Sequence, residues 1–208
     1  MRNPIHLLMV AATLFMVGCP ASENKGKTVA KGDGKGDVKA DVKGDAKSGA
    51  IAFSGDDSKI EFTGTKPGGK HDGGFKTFNG VIELTGNDVT TAKISVDIET
   101  DSLYSDDPKL TGHLKSPDFF NVKSNPKASF VSKSIVAKDA VHEVSGDLTL
   151  LGKTKSITFP AKIEATADTV KINGEFKIDR TDFGMTYGAG KIDPAATIKI
   201  AVNASRKK

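Results

Sequence analysis

The sequence predicts an all-β domain over residues 50–208, a barrel or a sandwich of about eight one-sided strands. Three observations lead there. Apolar side chains alternate with polar ones in four long segments, which puts every apolar group of a segment on one face of a strand. Breaks such as Gly86-Asn87-Asp88 and Ala167-Asp168 separate neighbours closely enough for antiparallel hairpins. Only Asp107 to Val122 escapes the two-residue period, and it fits short helical turns.

In chain order, the first element stands outside that domain. Arg2 precedes an apolar run from Ile5 to Val17, and Gly18 ends it before Cys19, the only cysteine. A basic start, an apolar stretch of about a dozen residues and a small-residue exit make a secretory signal. The run falls short of the roughly 20 residues a spanning helix needs. Met16-Val17-Gly18-Cys19 resembles the bacterial lipoprotein signal, which implies a signal peptide over residues 1–18 and a mature chain that starts at an acylated Cys19, palmitate included. Acyl chains contribute about 0.8 kcal/mol per buried CH₂, and two or three of them make a lasting anchor. Pro20 stands where an aspartate often means retention in the inner membrane, so the expected location is the cell envelope, on the periplasmic face of the outer membrane. A lone cysteine forms no internal disulfide.

Residues 19–49 read as a tether. Lysine recurs at 31, 35, 39, 43 and 47 and aspartate at 33, 37, 41 and 45, in a degenerate KGD-like repeat. A helix would stack lysine on lysine, and each interior glycine costs it about 1 kcal/mol relative to alanine. No aromatic residue is available for a core, so the composition favours a solvated coil. The r.m.s. span of such a Gly-rich chain is roughly 30 Å. Seven lysines here face five acids, and the remainder of the chain holds, Arg2 aside, 22 basic and 21 acidic residues. The folded part is therefore near neutral despite the pI near 9.0, which argues against a nucleic-acid partner.

Within the domain, the strands come in order as Ile60–Gly64, Phe78–Leu84, Ala92–Ile98, Lys127–Ser134, Val141–Leu151, Ile157–Ala165, Val170–Ile178 and Ile198–Ala204. The third and the last three carry the clearest alternation, as in Val170, Ile172, Gly174, Phe176 and Ile178 against Lys171, Asn173, Glu175 and Lys177. Gly64 to Gly74 is glycine-rich and reads as a mobile flap or a wide hairpin, since it lacks the strand–loop–helix context of a phosphate loop. The inward stripes mix Ile, Val and Phe with Gly80, Ala92, Ala128, Gly146, Ala161 and Gly174. These small residues either leave room for an extended apolar ligand or taper the packing of a solid core, and the pattern fits both.

Three blocks add a family resemblance. Gly112-His113-Leu114-Lys115-Ser116-Pro117-Asp118-Phe119-Phe120-Asn121-Val122, Gly146-Asp147-Leu148-Thr149-Leu150-Leu151-Gly152-Lys153-Thr154-Lys155 and Arg180-Thr181-Asp182-Phe183-Gly184-Met185 each resemble segments of the YceI-like family, in family order. The resemblance implies an eight-stranded, lipocalin-like antiparallel barrel with an apolar tunnel for a polyisoprenoid chain, in a periplasmic or secreted protein. An isoprenoid lipid or a quinone is then the expected bound molecule, and no metal or other cofactor is expected. This chain departs from the family in having no Trp, in reading Gly55-Asp56-Asp57-Ser58 before the first strand, and in Lys191-Ile192-Asp193-Pro194-Ala195 before the last.

Candidate ligand contacts are His113, Phe119, Phe120, Phe130, Leu148, Phe176, Arg180, Phe183 and Met185. His113 has two readings, a headgroup ligand at the barrel mouth or a pin for the irregular segment. Phe119 and Phe120 are adjacent, so a helical turn aims both inward where a strand would split them. Arg180 and Asp182 are expected to pair with each other or to cap a turn. Gly184 suits a positive φ, and the flexible Met185 suits an adaptable apolar lining. No nucleophile motif and no short metal-ligand spacing is present among His71, His113 and His142, so neither catalysis nor metal binding is expected. Two functions follow: a membrane-anchored protein that carries an isoprenoid-type amphiphile, or a solidly packed interaction module of the envelope.

Overall fold

The computed structural model describes residues 48–206. The signal peptide expected at 1–18, the acylation expected at Cys19 and the tether expected at 19–49, as far as residue 47, lie outside the described residues.

Eleven strands form one antiparallel sheet: β1 (Ser48–Ser54), β2 (Lys59–Lys66), β3 (Gly69–Phe75), β4 (Phe78–Thr85), β5 (Asp88–Glu99), β6 (Leu103–Ser105), β7 (Lys127–Lys138), β8 (Val141–Leu150), β9 (Lys153–Ala165), β10 (Thr169–Asp179) and β11 (Ala195–Ser205). Their spatial order is β1-β4-β5-β7-β8-β9-β10-β11-β2-β3-β6. The sheet curls so that β1 comes back against β11. Where they meet, the Asn203 amide donates to Ser58 Oγ at 3.1 Å and Asn203 Nδ2 donates to the Asp57 carbonyl at 3.0 Å.

The eight expected strands are all present, and three more correct the count. Each of the three lacks alternation for its own reason. In β1, Ile51 and Phe53 are buried, but Ala50 and Ala52 occupy the outer face and look apolar in sequence. β3 reads Gly-Lys-His-Asp-Gly-Gly-Phe and is held by backbone pairing from Ile60↔Phe75 to Lys66↔Gly69. Of the two readings of this stretch, flap or wide hairpin, the hairpin holds, and it is tight, turning at Pro67-Gly68. β6 is three residues long and pairs only with Gly73 to Phe75 of β3.

The single α-helix among the described residues, α1 (Pro108–Lys115), lies inside the stretch expected to form helical turns. Proline at the first helical position and Asp107 as N-cap start it, the Asp107 carboxylate accepting from the amides of Lys109 and Leu110 at 2.7 and 2.9 Å. Ser116 and Pro117 end it, and the following turns hold Phe119 and Phe120.

The core runs along the concave side of the sheet, from Ile51, Phe78 and Ile82 through Val144 and Phe159 to Val170, Ile172 and Val202. A smaller cluster of Leu103, Leu114 and Phe119 seats α1 on β6. Two of the small residues of the stripes, Gly80 and Gly146, prove to be seats for aromatic rings. A Cβ on Gly80 would collide with the Phe53 ring, and one on Gly146 with the Phe130 ring. These rings occupy the space above the glycines, yet they do not fill the interior.

Candidate functional site

Inside the curl lies a cavity of about 430 Å³, within the range of roughly 300–1,000 Å³ usual for small-molecule sites. Towards the β7–β8 and β9–β10 turns its wall is aliphatic, with Val144, Ile172 and Val202. Its middle is ringed by Phe130, Leu148, Phe159 and Phe176, and the last two stack at 4.1 Å with their planes 15° apart. Inward alternation of β5, β7, β8, β9, β10 and β11 supplies this lining directly.

The polar lining is confined to the opposite end, where the β2–β3 hairpin, α1 and the β10–β11 connection converge. There stand Thr65, Lys66, His71, His113, Arg180, Tyr187 and Asp193. The His113 ring contacts Phe119 edge-on at 5.0 Å and Tyr187 edge-on at 4.8 Å, and Phe119 lies 5.3 Å from Tyr187. Phe120 packs edge-on to Phe75 at 5.6 Å. Both adjacent phenylalanines therefore face inward, as a turn allows and a strand does not.

Of the nine candidate contacts, eight line the cavity: His113, Phe119, Phe120, Phe130, Leu148, Phe176, Arg180 and Met185. Phe183 does not. Its 3₁₀ turn, Arg180–Phe183, packs against β9, and the ring is buried in the core at 2% exposure. Gly184 then adopts φ +93, and this reversal brings Met185 back to the cavity wall.

Arg180 also departs from expectation, because it pairs with no carboxylate. Only 7% exposed, it donates from Nε to the Asp193 carbonyl at 3.1 Å, from Nη2 to the Ile192 carbonyl at 3.2 Å, and from Nη1 to the Met185 carbonyl. It thus splints the irregular β10–β11 connection. Asp182 is exposed, and the turn is capped by Asp179, which accepts from the Thr181 amide at 2.8 Å.

His113 Nε2 lies 2.8 Å from Asp118 Oδ2, which ties the end of α1 to the next turn. His71 Nδ1 lies 3.0 Å from Asp106 Oδ1 and joins β3 to the start of the α1 segment. Neither ring has a serine, threonine or cysteine among its hydrogen-bond partners. Among the described residues, no group of three or more His, Cys, Asp or Glu side chains could hold a metal ion.

Sequence reasoning passed over Phe62, Phe75, Phe159, Tyr187 and His71 as lining residues. Phe159 had a signal, since it lies in phase with Ile157 and Ala161 on β9. Tyr187 had none, because it sits in an irregular connection without a period.

The rim has a pH signature. The Asp72 amide, then the His71 ring, hold the Asp106 carboxyl below its ordinary range. The Thr63 hydroxyl, then Lys70, do the same for Asp72. A carboxylate whose native value is depressed contributes stability above its unfolded value and loses it as the pH falls through the native one. The β3–β6 rim should therefore be unchanged from pH 7 to 5 and loosen only below about pH 4, the ordinary aspartate range. Amide resonances of Asp72, Tyr104 and Asp106 would report this, and Asp106→Asn should bring the acid state partway to neutral pH. Loosening already at pH 6 would exclude the carboxylates as its cause.

The comparisons with known proteins fit this geometry. The YceI-like domain model matches residues 52–204. A UPF0312 protein of Pseudomonas putida is 33% identical over 143 residues, covering 65% of this chain and 74% of its own. Among solved structures, BcnA of Burkholderia cenocepacia superposes with a TM-score of 0.67 at 22% identity, covering 73% of this chain and 99% of its own. A polyisoprenoid binding domain from Saccharophagus degradans, implicated in plant cell wall breakdown, superposes with a TM-score of 0.62 at 14% identity, covering 77% and 100%. At these identities both structures speak for the fold alone. With three quarters of its length matched and its sheet curled around an apolar tunnel, the chain belongs to the YceI-like domain family.

Proposed function

We propose that the protein binds an amphiphile with a long apolar chain, of the isoprenoid class, and holds it in the cell envelope from a lipid anchor at Cys19. The observation that carries this reading is the cavity of about 430 Å³, apolar along its length and polar at one end only. A chain in it loses contact with water and gains about 25 cal/mol per Å² of apolar surface buried. The polar end then faces the head. The fold neighbour named as a polyisoprenoid binding domain supports the ligand class. The cavity counts against the solidly packed interaction module, which needs a filled interior.

Mass spectrometry of lipids extracted from the natively purified protein tests the ligand. A stoichiometric chain lipid is the expected result, with purified isoprenoids rebinding after delipidation. Repeated preparations without lipid, together with failed rebinding, would sink the reading.

The anchor is tested separately. Cys19→Ser should release the protein from membranes while residues 48–206 still fold, because the cysteine lies some 30 residues before β1. A tether of this length extends to about 100 Å at roughly 3.3 Å per residue, enough for the barrel to move freely beneath its membrane. Equal retention of wild type and variant in a salt-washed membrane pellet would show that another feature does the anchoring.

A further inference from the structure

The chain enters the domain at the end opposite the tunnel mouth. Ser48, the first residue of β1, pairs with Thr85, and Gly49 pairs with Leu84, beside the β4–β5 turn. That end is closed, because Ile51, Ile82, Leu84, Ile163, Val170 and Ala204 are buried there and none of them lines the cavity. The mouth lies at the other end of the same sheet, where β10 has run from Thr169 to Asp179 and gives way to the β10–β11 connection. Eleven residues at roughly 3.3 Å each, in a strand tilted by about 40° as barrel strands are, make a wall roughly 30 Å tall. An anchor at Cys19 therefore holds the barrel by its closed end, and on a short link the mouth would point away from the anchoring bilayer.

For the mouth to meet that bilayer the barrel has to turn over, and the link then has to run the height of the wall. Residues 20–47 supply 28 residues for this. A Gly-rich coil of that length has an r.m.s. span of roughly 30 Å, equal to the wall. The effective concentration of a tethered site peaks when the r.m.s. length of its linker matches the span to be bridged. The rim also carries a side chain suited to a bilayer surface. Tyr187 lines the cavity, is 45% exposed, and joins an apolar ring to a polar tip, the combination enriched at membrane interfaces. We propose that the mouth docks on the bilayer that holds the protein's own anchor and takes its amphiphile from there, and that the length of the KGD-like tether, not its sequence, makes this possible. This rests on the anchor and amphiphile readings above.

The test uses the acylated full chain in dilute vesicles of phosphatidylethanolamine and phosphatidylglycerol, with brominated acyl chains that quench fluorescence. A fluorophore is attached through Lys191→Cys, exposed in the β10–β11 connection at the mouth, or through Ala140→Cys, exposed in the β7–β8 turn at the closed end. With the natural tether the mouth probe should be quenched. Deleting residues 24–46 leaves residues 20–23 and 47, five in all, between Cys19 and Ser48. Five residues reach about 17 Å at roughly 3.3 Å each, too little to span the wall. Quenching should then pass from the mouth probe to the closed-end probe. Geranylgeraniol supplied in the same vesicles should occupy the deletion variant at least about tenfold less than wild type. Farnesol supplied from solution to the delipidated proteins should bind both alike. A Gly-Ser stretch of equal length in place of residues 24–46 should restore both mouth quenching and loading.

Equal quenching of the mouth probe with and without the tether, or equal loading from the vesicles, overturns the proposal. So does a Gly-Ser tether of equal length that fails to load, since sequence and not length would then be at work. If neither farnesol nor geranylgeraniol binds the wild-type chain, the amphiphile reading itself fails. If the full chain does not stay with the vesicles, the anchor reading fails instead, and in either case the docking of the mouth falls with it.

Discussion

Replacing Ala196 with Trp is expected to abolish binding of a chain amphiphile, by about a hundredfold or more, while the domain still folds. Ala196 lies near the start of β11, in phase with the lining residues Ile198, Ile200 and Val202, and itself lines the cavity. Its partners across the sheet are Ile178 and Gly64, so an indole there projects into the polar end through which a chain must pass. In a close-packed interior such an insertion costs roughly 1–3 kcal/mol of strain. Here the cavity can take up much of the ring. Losing the contact of even a few methylenes, at about 0.8 kcal/mol each, accounts for a hundredfold change in affinity. Lys199→Trp, on the outer face of the same strand, is the control and should bind normally. The readouts are isoprenoid titration and thermal melting. A folded Ala196→Trp protein that keeps wild-type affinity would place the chain somewhere other than this tunnel.

Arg180→Met is expected to lower the stability of the domain by about 3 kcal/mol, from the cost of leaving buried carbonyls unpaired at about 1–3 kcal/mol each. Those carbonyls belong to Met185, Ile192 and Asp193, so the damage falls on the β10–β11 connection. Removing an uncompensated buried charge offsets part of this loss, which keeps the expectation below the simple sum. Arg180→Lys should fall between, since an ammonium cannot span three acceptors with one planar fork. Urea midpoints at constant m-value measure the change. A Met variant as stable as wild type would show that the connection holds itself.

Much of this molecule was legible before any coordinates. Period two located β2, β4, β5 and β7 to β11, because each buries one face and the hydrophobic effect writes that face into every second residue. The lining residues Phe130, Leu148 and Phe176 followed from the same pattern. The loss of that period from Asp107 to Val122 pointed to helical turns, and α1 lies inside that stretch. What escaped were β1, whose outer face is alanine, the three-residue β6, and β3, which is held mainly by backbone pairing. β3 has no apolar period because Gly73 lies beneath the Phe62 ring, where a Cβ would collide at 2.6 Å. Such a position selects for absence of a side chain, and a glycine in sequence reads as a turn.

The sequence by itself determined the all-β class, the phase of most strands and, through Arg180 and Phe183, the chemistry brought to one short segment. Those are properties of local periodicity and residue type, and each strand carries its own record of them. Only the tertiary structure decided that Phe183 faces the core while Met185 faces the tunnel, since one residue at φ +93 between them turns the chain. Only it decided that Arg180 holds three carbonyls and no carboxylate, and that glycines beneath aromatic rings still leave an open interior. Pairings across a sheet depend on which distant strands become neighbours, and that choice is made by the closure of the whole curl, where no single segment holds the information.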